Sequence, residues 1–144
     1  MTVTITGSDD LSVVTGGTAG MVTEGDIGDA PVIDSGTLMI SDADRDDMPS
    51  FADLATTTGD NAYGRFELTS GTWTYTLNQA VVQQLIEDQQ VSDAHTFVAS
   101  DGTSQRVTVV IVGRNDAPRI TSAETVTHDE HLTKVMRITS EDAD

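Results

Sequence analysis

The chain has 144 residues, 37% of them hydrophobic, with 24 acidic against 7 basic residues and a formal net charge of −17. That length and apolar content fill one modest core and part of a further unit, and the scarcity of Lys and Arg excludes nucleic acid and anionic membrane surfaces as partners. With no cysteine, disulfides and thiolate metal sites are excluded too, and no apolar run is long enough for membrane insertion as a spanning helix.

The first residues alternate and then turn acidic: Thr4-Ile5-Thr6-Gly7-Ser8-Asp9-Asp10. No charged n-region or apolar h-region of a secretory leader precedes them. The phrase returns about a hundred residues later as Val110-Ile111-Val112-Gly113-Arg114-Asn115-Asp116. Ile40-Ser41-Asp42-Ala43-Asp44 likewise returns as Ile138-Thr139-Ser140-Glu141-Asp142-Ala143-Asp144. Repetition at domain length implies a tandem array met out of register. Residues 1–10 then read as the last strand and linker of a preceding repeat, 11–118 as a complete one, and 119–144 as the first strands of a following one. Met136 and Ile138 take the places of Leu38 and Ile40 in that last segment.

Within 11–118 the period is two. Leu38 and Ile40, Phe66 and Leu68, Trp73, Tyr75 and Leu77, Phe97 and Ala99, and Val107, Val109 and Ile111 each share a strand face, with Thr frequent on the other. Turn signals separate the runs at Gly16-Gly17, Asp34-Ser35-Gly36, Thr58-Gly59-Asp60-Asn61, Ser70-Gly71 and Ser100-Asp101-Gly102. The pattern predicts an all-β antiparallel sandwich, with a tight hairpin at Ser70-Gly71. One segment breaks the period. Val81, Val82, Leu85 and Ile86 form a 3.6-period stripe behind Asn78, a suitable N-cap, which predicts one short helix near residues 79–87.

The acidic residues cluster at the repeated positions: Asp42, Asp44, Asp46 and Asp47 in one run, Glu141, Asp142 and Asp144 in the other. A hard cation such as Ca2+ takes six to eight oxygens from carboxylates, carbonyls and amides. Asp-x-Asp on an extended chain puts two short carboxylates on one side, and the linker Asn115-Asp116 adds an amide oxygen and a third carboxylate. An EF-hand is excluded at Asp42: Asp47 stands where its loop needs Gly, and Asp53 where it needs Glu. Other chemistry finds no support. Nothing marks a pair of glycosidase carboxylates, His128 and His131 lie in a loop-like setting, and no serine has a nucleophile context. The chain is expected to be no enzyme. Trp73 and Tyr75 share their face with Leu77 and read as core rather than as a sugar-stacking platform.

Ser100-Asp101-Gly102-Thr103-Ser104, the strand Val107–Val112 and Gly113-Arg114-Asn115-Asp116-Ala117-Pro118 together resemble the end of a cadherin-like repeat. Val22-Thr23-Glu24, Gly36 to Asp44, Tyr63 to Leu68 and Gly71 to Leu77 complete, in order, a resemblance to the bacterial VCBS repeat, found in tandem arrays of large surface adhesins and RTX-type secreted proteins. The resemblance covers nearly all of residues 10–118.

It implies a cadherin-like Greek-key sandwich of about seven strands with calcium at the module junctions, in a protein of the bacterial cell surface or extracellular space. It implies an upper site of Asp42, Asp44 and Asp101 closed by Asp9 and Asp10. The implied lower site has Asn115 and Asp116 closed by Asp142 and Asp144, with Glu24 offered from the first strand region. Leu77-Asn78-Gln79-Ala80 departs from the family pattern, which has acids after the Leu. The expected function is a non-enzymatic structural and adhesion module rigidified by Ca2+, whose partners are neighbouring repeats of the same chain. The alternatives are an extracellular polysaccharide-binding module and a homophilic association module that pairs with itself.

Overall fold

The fold is that of a computed structural model, which describes residues 1–44, 46–120 and 139–142. Eight strands form the body: β1 (Val13–Gly16), β2 (Ala19–Thr23), β3 (Ile33–Ser41), β4 (Leu54–Thr58), β5 (Gly64–Thr69), β6 (Thr72–Leu77), β7 (Gln90–Val98) and β8 (Ser104–Val112). They form a five-stranded sheet in the order β1-β3-β6-β5-β4 and a three-stranded sheet in the order β2-β8-β7. All pairs in these sheets are antiparallel except β2 with β8, which run parallel from Ala19↔Thr108 to Thr23↔Val112. An isolated bridge between Phe51 and Ala99 ties the β3–β4 connection to the other sheet.

The alternation in the sequence is the alternation in the structure. Leu38, Phe66, Leu68, Trp73, Tyr75 and Leu77 from the larger sheet meet Val22, Phe97, Val107, Val109 and Ile111 from the smaller one in a single core. Phe66 lies against Tyr75 at 4.7 Å between ring centroids, in the tilted geometry aromatic pairs prefer. Trp73 packs flat over Gly36, where a Cβ would stand 2.7 Å from the indole. Its Nε1 donates to the Gly17 carbonyl at 2.7 Å, so its one polar atom is satisfied inside the core. The β5–β6 hairpin closes through Ser70 and Gly71, both at positive φ, as a two-residue turn matching the strand twist requires.

The helix expected near 79–87 is reduced to one 3-10 turn, Gln79–Val81, and no other helix occurs among the described residues. Asn78 does cap it, its Oδ1 accepting from the Ala80 amide at 3.3 Å. Beyond the cap the bonds are i→i−3: Val82 to Gln79, Leu85 to Val82 and Gln89 to Ile86. Only Val82 and Leu85 of the apolar stripe are buried, while Val81 and Ile86 are exposed. The chain must reach the start of β7 at Gln90, and Asp88 turns it at φ 63°. So short a span does not recover the cost of helix nucleation, and single tight turns replace it.

Outside the body, Met1 to Ser12 carry no strand. Arg119–Ile120 (β9) and Ser140–Glu141 (β10) pair as a two-residue antiparallel ladder. Met136 and Ile138, the proposed counterparts of Leu38 and Ile40, lie outside the described residues, as do His128, His131 and Asp144.

Candidate cation sites at the two ends of the sandwich

Strand β8 begins beside one acidic cavity and ends beside another. The upper one, of about 350 Å3, lies where β3 ends at Ser41 and where the β7–β8 turn carries Asp101. Its lining includes Asp9, Asp10, Asp42, Asp47 and Asp101, and every charged lining residue described there is an aspartate. The N-terminal segment folds onto the body here: the Asp10 amide donates to Asp44 Oδ2 at 2.7 Å. As β3 ends, the chain turns on itself, with the Asp44 amide donating to Asp42 Oδ1 at 2.8 Å and the Asp47 amide to the Asp44 carbonyl at 3.2 Å. That turn swings Asp47 back, so that oxygens of Asp9, Asp44 and Asp47 lie within 4.8 Å of one another. At that range each carboxylate pair repels by about 1 kcal/mol even at a water-like dielectric.

Ser12 sits between the remaining two acids. Its Oγ is 2.9 Å from Asp42 Oδ2 and in close contact with Asp101 Oδ2. A hydroxyl has one proton, so it can donate to only one carboxylate at a time. The Ser12 hydroxyl and then the Thr103 amide, which donates at 2.9 Å, hold Asp101 below the usual carboxylate range. Two anionic oxygens sharing one donor form a setting that a cation completes.

All five upper residues expected from the sequence thus come to one place: Asp9, Asp10, Asp42, Asp44 and Asp101. Asp47 and Ser12 are additions. Asp47 was visible only as part of the acidic run, and its turn back depends on backbone bonds that no side-chain pattern announces. Ser12 carries no sequence signal; it is placed by the register Val13↔Ser41, which sets it next to Asp42.

The lower cavity, of about 630 Å3, opens where β2 and β8 end. Asp26, Gln83, Asp116, Glu141 and Asp142 line it, together with Ile27, Ala117 and Pro118. Of the lower residues expected from the sequence, Asp116 and Asp142 meet here. Glu24 and Asn115 do not line the cavity. Glu24 is buried and its Oε1 accepts from the Arg114 amide at 2.9 Å, which anchors the linker to the end of β2. Asn115 is exposed and its Nδ2 donates to the Asp116 carbonyl at 2.8 Å. Both serve the path of the linker: Glu24 holds the Arg114 amide across the chain, and Asn115 bonds the next carbonyl, as a short polar side chain beside a turn does. Asp26 and Gln83 are further additions, brought in by the β2–β3 loop and by the turn after Val81.

Trp73 and Tyr75 are 1% and 0% exposed, which leaves no aromatic platform on that strand. Burial, and then the charge of Asp93, push the Tyr75 phenol well above its ordinary range. His95 stacks on Phe66 at 5.9 Å and meets Phe97 edge-on at 4.9 Å, so it belongs to the margin of the core.

No helix among the described residues is long and apolar enough to cross a membrane. No protein-family model matches this chain, and no curated protein matches it.

Proposed function

We propose that the chain is a non-enzymatic structural module of a tandem array, stiffened by Ca2+ at the junctions between modules. One observation carries the reading. The N-terminal segment lies on the end of the sandwich with Asp9 and Asp10 set against Asp42, Asp44, Asp47 and Asp101. Carboxylates of the linker and of the body then share one space, and their mutual repulsion opens the joint unless a cation neutralises it. With the ion bound, the preceding module and the body are held end to end; without it, residues 1–12 swing free. Such an array holds a binding domain away from a cell surface, which agrees with an extracellular adhesin stalk and with the resemblance to VCBS repeats.

At free Ca2+ about tenfold above a dissociation constant of order 10−4 M, linkage contributes about 1.4 kcal/mol per site. That is small beside the stability of a domain but enough to order a linker. Small-angle scattering with calcium and with chelator tests the reading. Calcium is expected to give a longer, narrower distance distribution for a chain carrying a preceding repeat, and identical curves would overturn it. Burial of Trp73 and Tyr75 speaks against the polysaccharide alternative in its simplest form. Calcium-dependent dimers in sedimentation would favour the homophilic one.

A further inference from the structure

The strands by which the chain enters and leaves the body lie side by side. β1 and β2 follow the N-terminal segment, and β8 hands the chain on to residues 113–118. β2 and β8 pair in parallel from Ala19↔Thr108 to Thr23↔Val112. The ladder runs on at both ends: the Thr108 amide donates to the Thr18 carbonyl at 3.0 Å, and the Glu24 amide to the Val112 carbonyl at 3.0 Å. Just past it, the Arg114 amide donates to Glu24 Oε1 at 2.9 Å.

The directions of these strands decide how the pair meets tension. The N-terminal segment reaches the body at its upper end, where the Asp10 amide meets Asp44, and β8 leaves at the lower end. A pull from both ends therefore draws β2 upward and β8 downward, past each other along their own axes. The bonds of a parallel ladder are evenly spaced, so they are strained together and none opens first. Were the two strands antiparallel, they would meet the linkers at one end and unzip a bond at a time. β2 is fixed on its other edge too, where the Met21 amide donates to Asp34 Oδ2 of β3 at 2.8 Å. The crossover from β1 is held by the Gly17 amide on the Thr37 carbonyl at 2.9 Å and by Trp73 Nε1 on the Gly17 carbonyl. β1 lies on the same path, but it has four residues, three of them exposed, and β3 as its one neighbour in the sheet. It yields first, and the β2–β8 seam then takes the strain.

We propose that the module has a mechanical function of its own: the parallel β2–β8 seam is a shear clamp that keeps the body folded when the chain is pulled from end to end. The proposal rests on the tandem-array part of the reading above, since an array transmits tension through every module. It does not rest on the ions. Cations at the junctions set how stiffly one module follows the next, whereas the clamp sets how much tension each body withstands before it opens.

Single-molecule pulling on the full chain in chelator tests the clamp, because forced unfolding is governed by the barrier to opening. One geometry pulls the two chain ends. The other pulls the N-terminal end against a Ser104→Cys handle, at an exposed position where β8 begins and in a chain with no other cysteine. That second pull peels the seam from its upper end. The chain-end geometry is expected to need at least about twofold more force at equal pulling speed, since the whole ladder rather than one bond resists. Equal forces, or a lower one between the chain ends, overturn the clamp. Two core truncations give a second readout. Val22→Ala in β2 and Leu54→Ala in β4 should both lower stability in urea, but only Val22→Ala should lower the chain-end rupture force. A loss as large in Leu54→Ala overturns the clamp as well. If Val22→Ala does not fold, the two geometries decide. With chelator present throughout, failure of the clamp leaves calcium bracing standing, and the scattering experiment judges that separately.

Discussion

The backbone amide of Asp10 donates to a carboxylate oxygen of Asp44 at 2.7 Å, joining the end of one repeated phrase to the end of the other. On the proposed reading the two phrases are the two faces of a single joint. Asp9 follows the same path to within 4.8 Å of Asp44 and Asp47, so the N-terminal segment and the end of β3 both bring aspartates to the same place. Protection of the Asp10 amide from hydrogen exchange should therefore rise with Ca2+ and fall with chelator. Asp44→Ala removes the acceptor and a ligand together, so its Asp10 amide should exchange at the rate of an open chain in either condition.

The shared hydroxyl of Ser12 sets a proton-linked property of the same joint. Hydrogen bonds from Ser12 and Thr103 depress Asp101, so its folded-state value lies below its unfolded one. A depressed carboxylate contributes stability above the unfolded value and loses it as pH falls through the folded value. Ser12→Ala should move the Asp101 titration back up toward ordinary Asp, read from its side-chain carboxyl resonance. An unmoved titration would show that Ser12 does not hold that carboxylate.

Asp93 is a buried carboxylate with an internal task. It is 0% exposed and accepts from the amides of Asn61, Gly64 and Ala94 at 2.9, 3.0 and 2.9 Å, and from the Tyr75 hydroxyl at 3.2 Å. It fastens the β4–β5 connection to β7. Asp93→Ala strands those donors and should cost about 3–5 kcal/mol in urea unfolding. A loss below about 1 kcal/mol would mean that water takes over the acceptor role.

Tyr75 gives the alkaline counterpart. Its phenol is raised by burial and by Asp93, so the folded state keeps a proton that the unfolded state releases near pH 10. Its contribution is fully present below that pH and declines above it, since the unfolded chain then binds fewer protons. Tyr75→Phe should remove that part of the alkaline decline.

Trp73 distinguishes a structural module from a sugar-binding one. At 1% exposure, with Nε1 bonded to Gly17, it should emit as a buried indole and show no quenching when soluble polysaccharide is added. Saturable quenching would require a binding surface that includes this strand.

The sandwich was legible because its strands state their faces. Trp73, Tyr75 and Leu77 can point one way only if Thr72, Thr74 and Thr76 point the other. The upper acids were legible for a similar reason, since they are local runs at strand ends. The helix near 79–87 was misread because a 3.6-period stripe does not show that the chain must turn back by Gln90. Ser12, Asp26 and Gln83 were illegible for another reason. Each reaches its cavity through a partner distant in sequence: Ser12 through Asp42 and Asp101, Gln83 through Gly25, and Asp26 through the strand pair β2–β8 that sets where its loop begins.

The most direct test of the calcium-braced junction is a calorimetric Ca2+ isotherm on the full chain beside one on the Asp44→Ala/Asp47→Ala variant. The wild type should bind with a dissociation constant of about 10−4 M, in the range of extracellular calcium modules. The variant should lose the upper site while keeping its unfolding temperature in chelator. Absence of binding heat in the wild type, or an isotherm unchanged by removing both aspartates, would contradict the account.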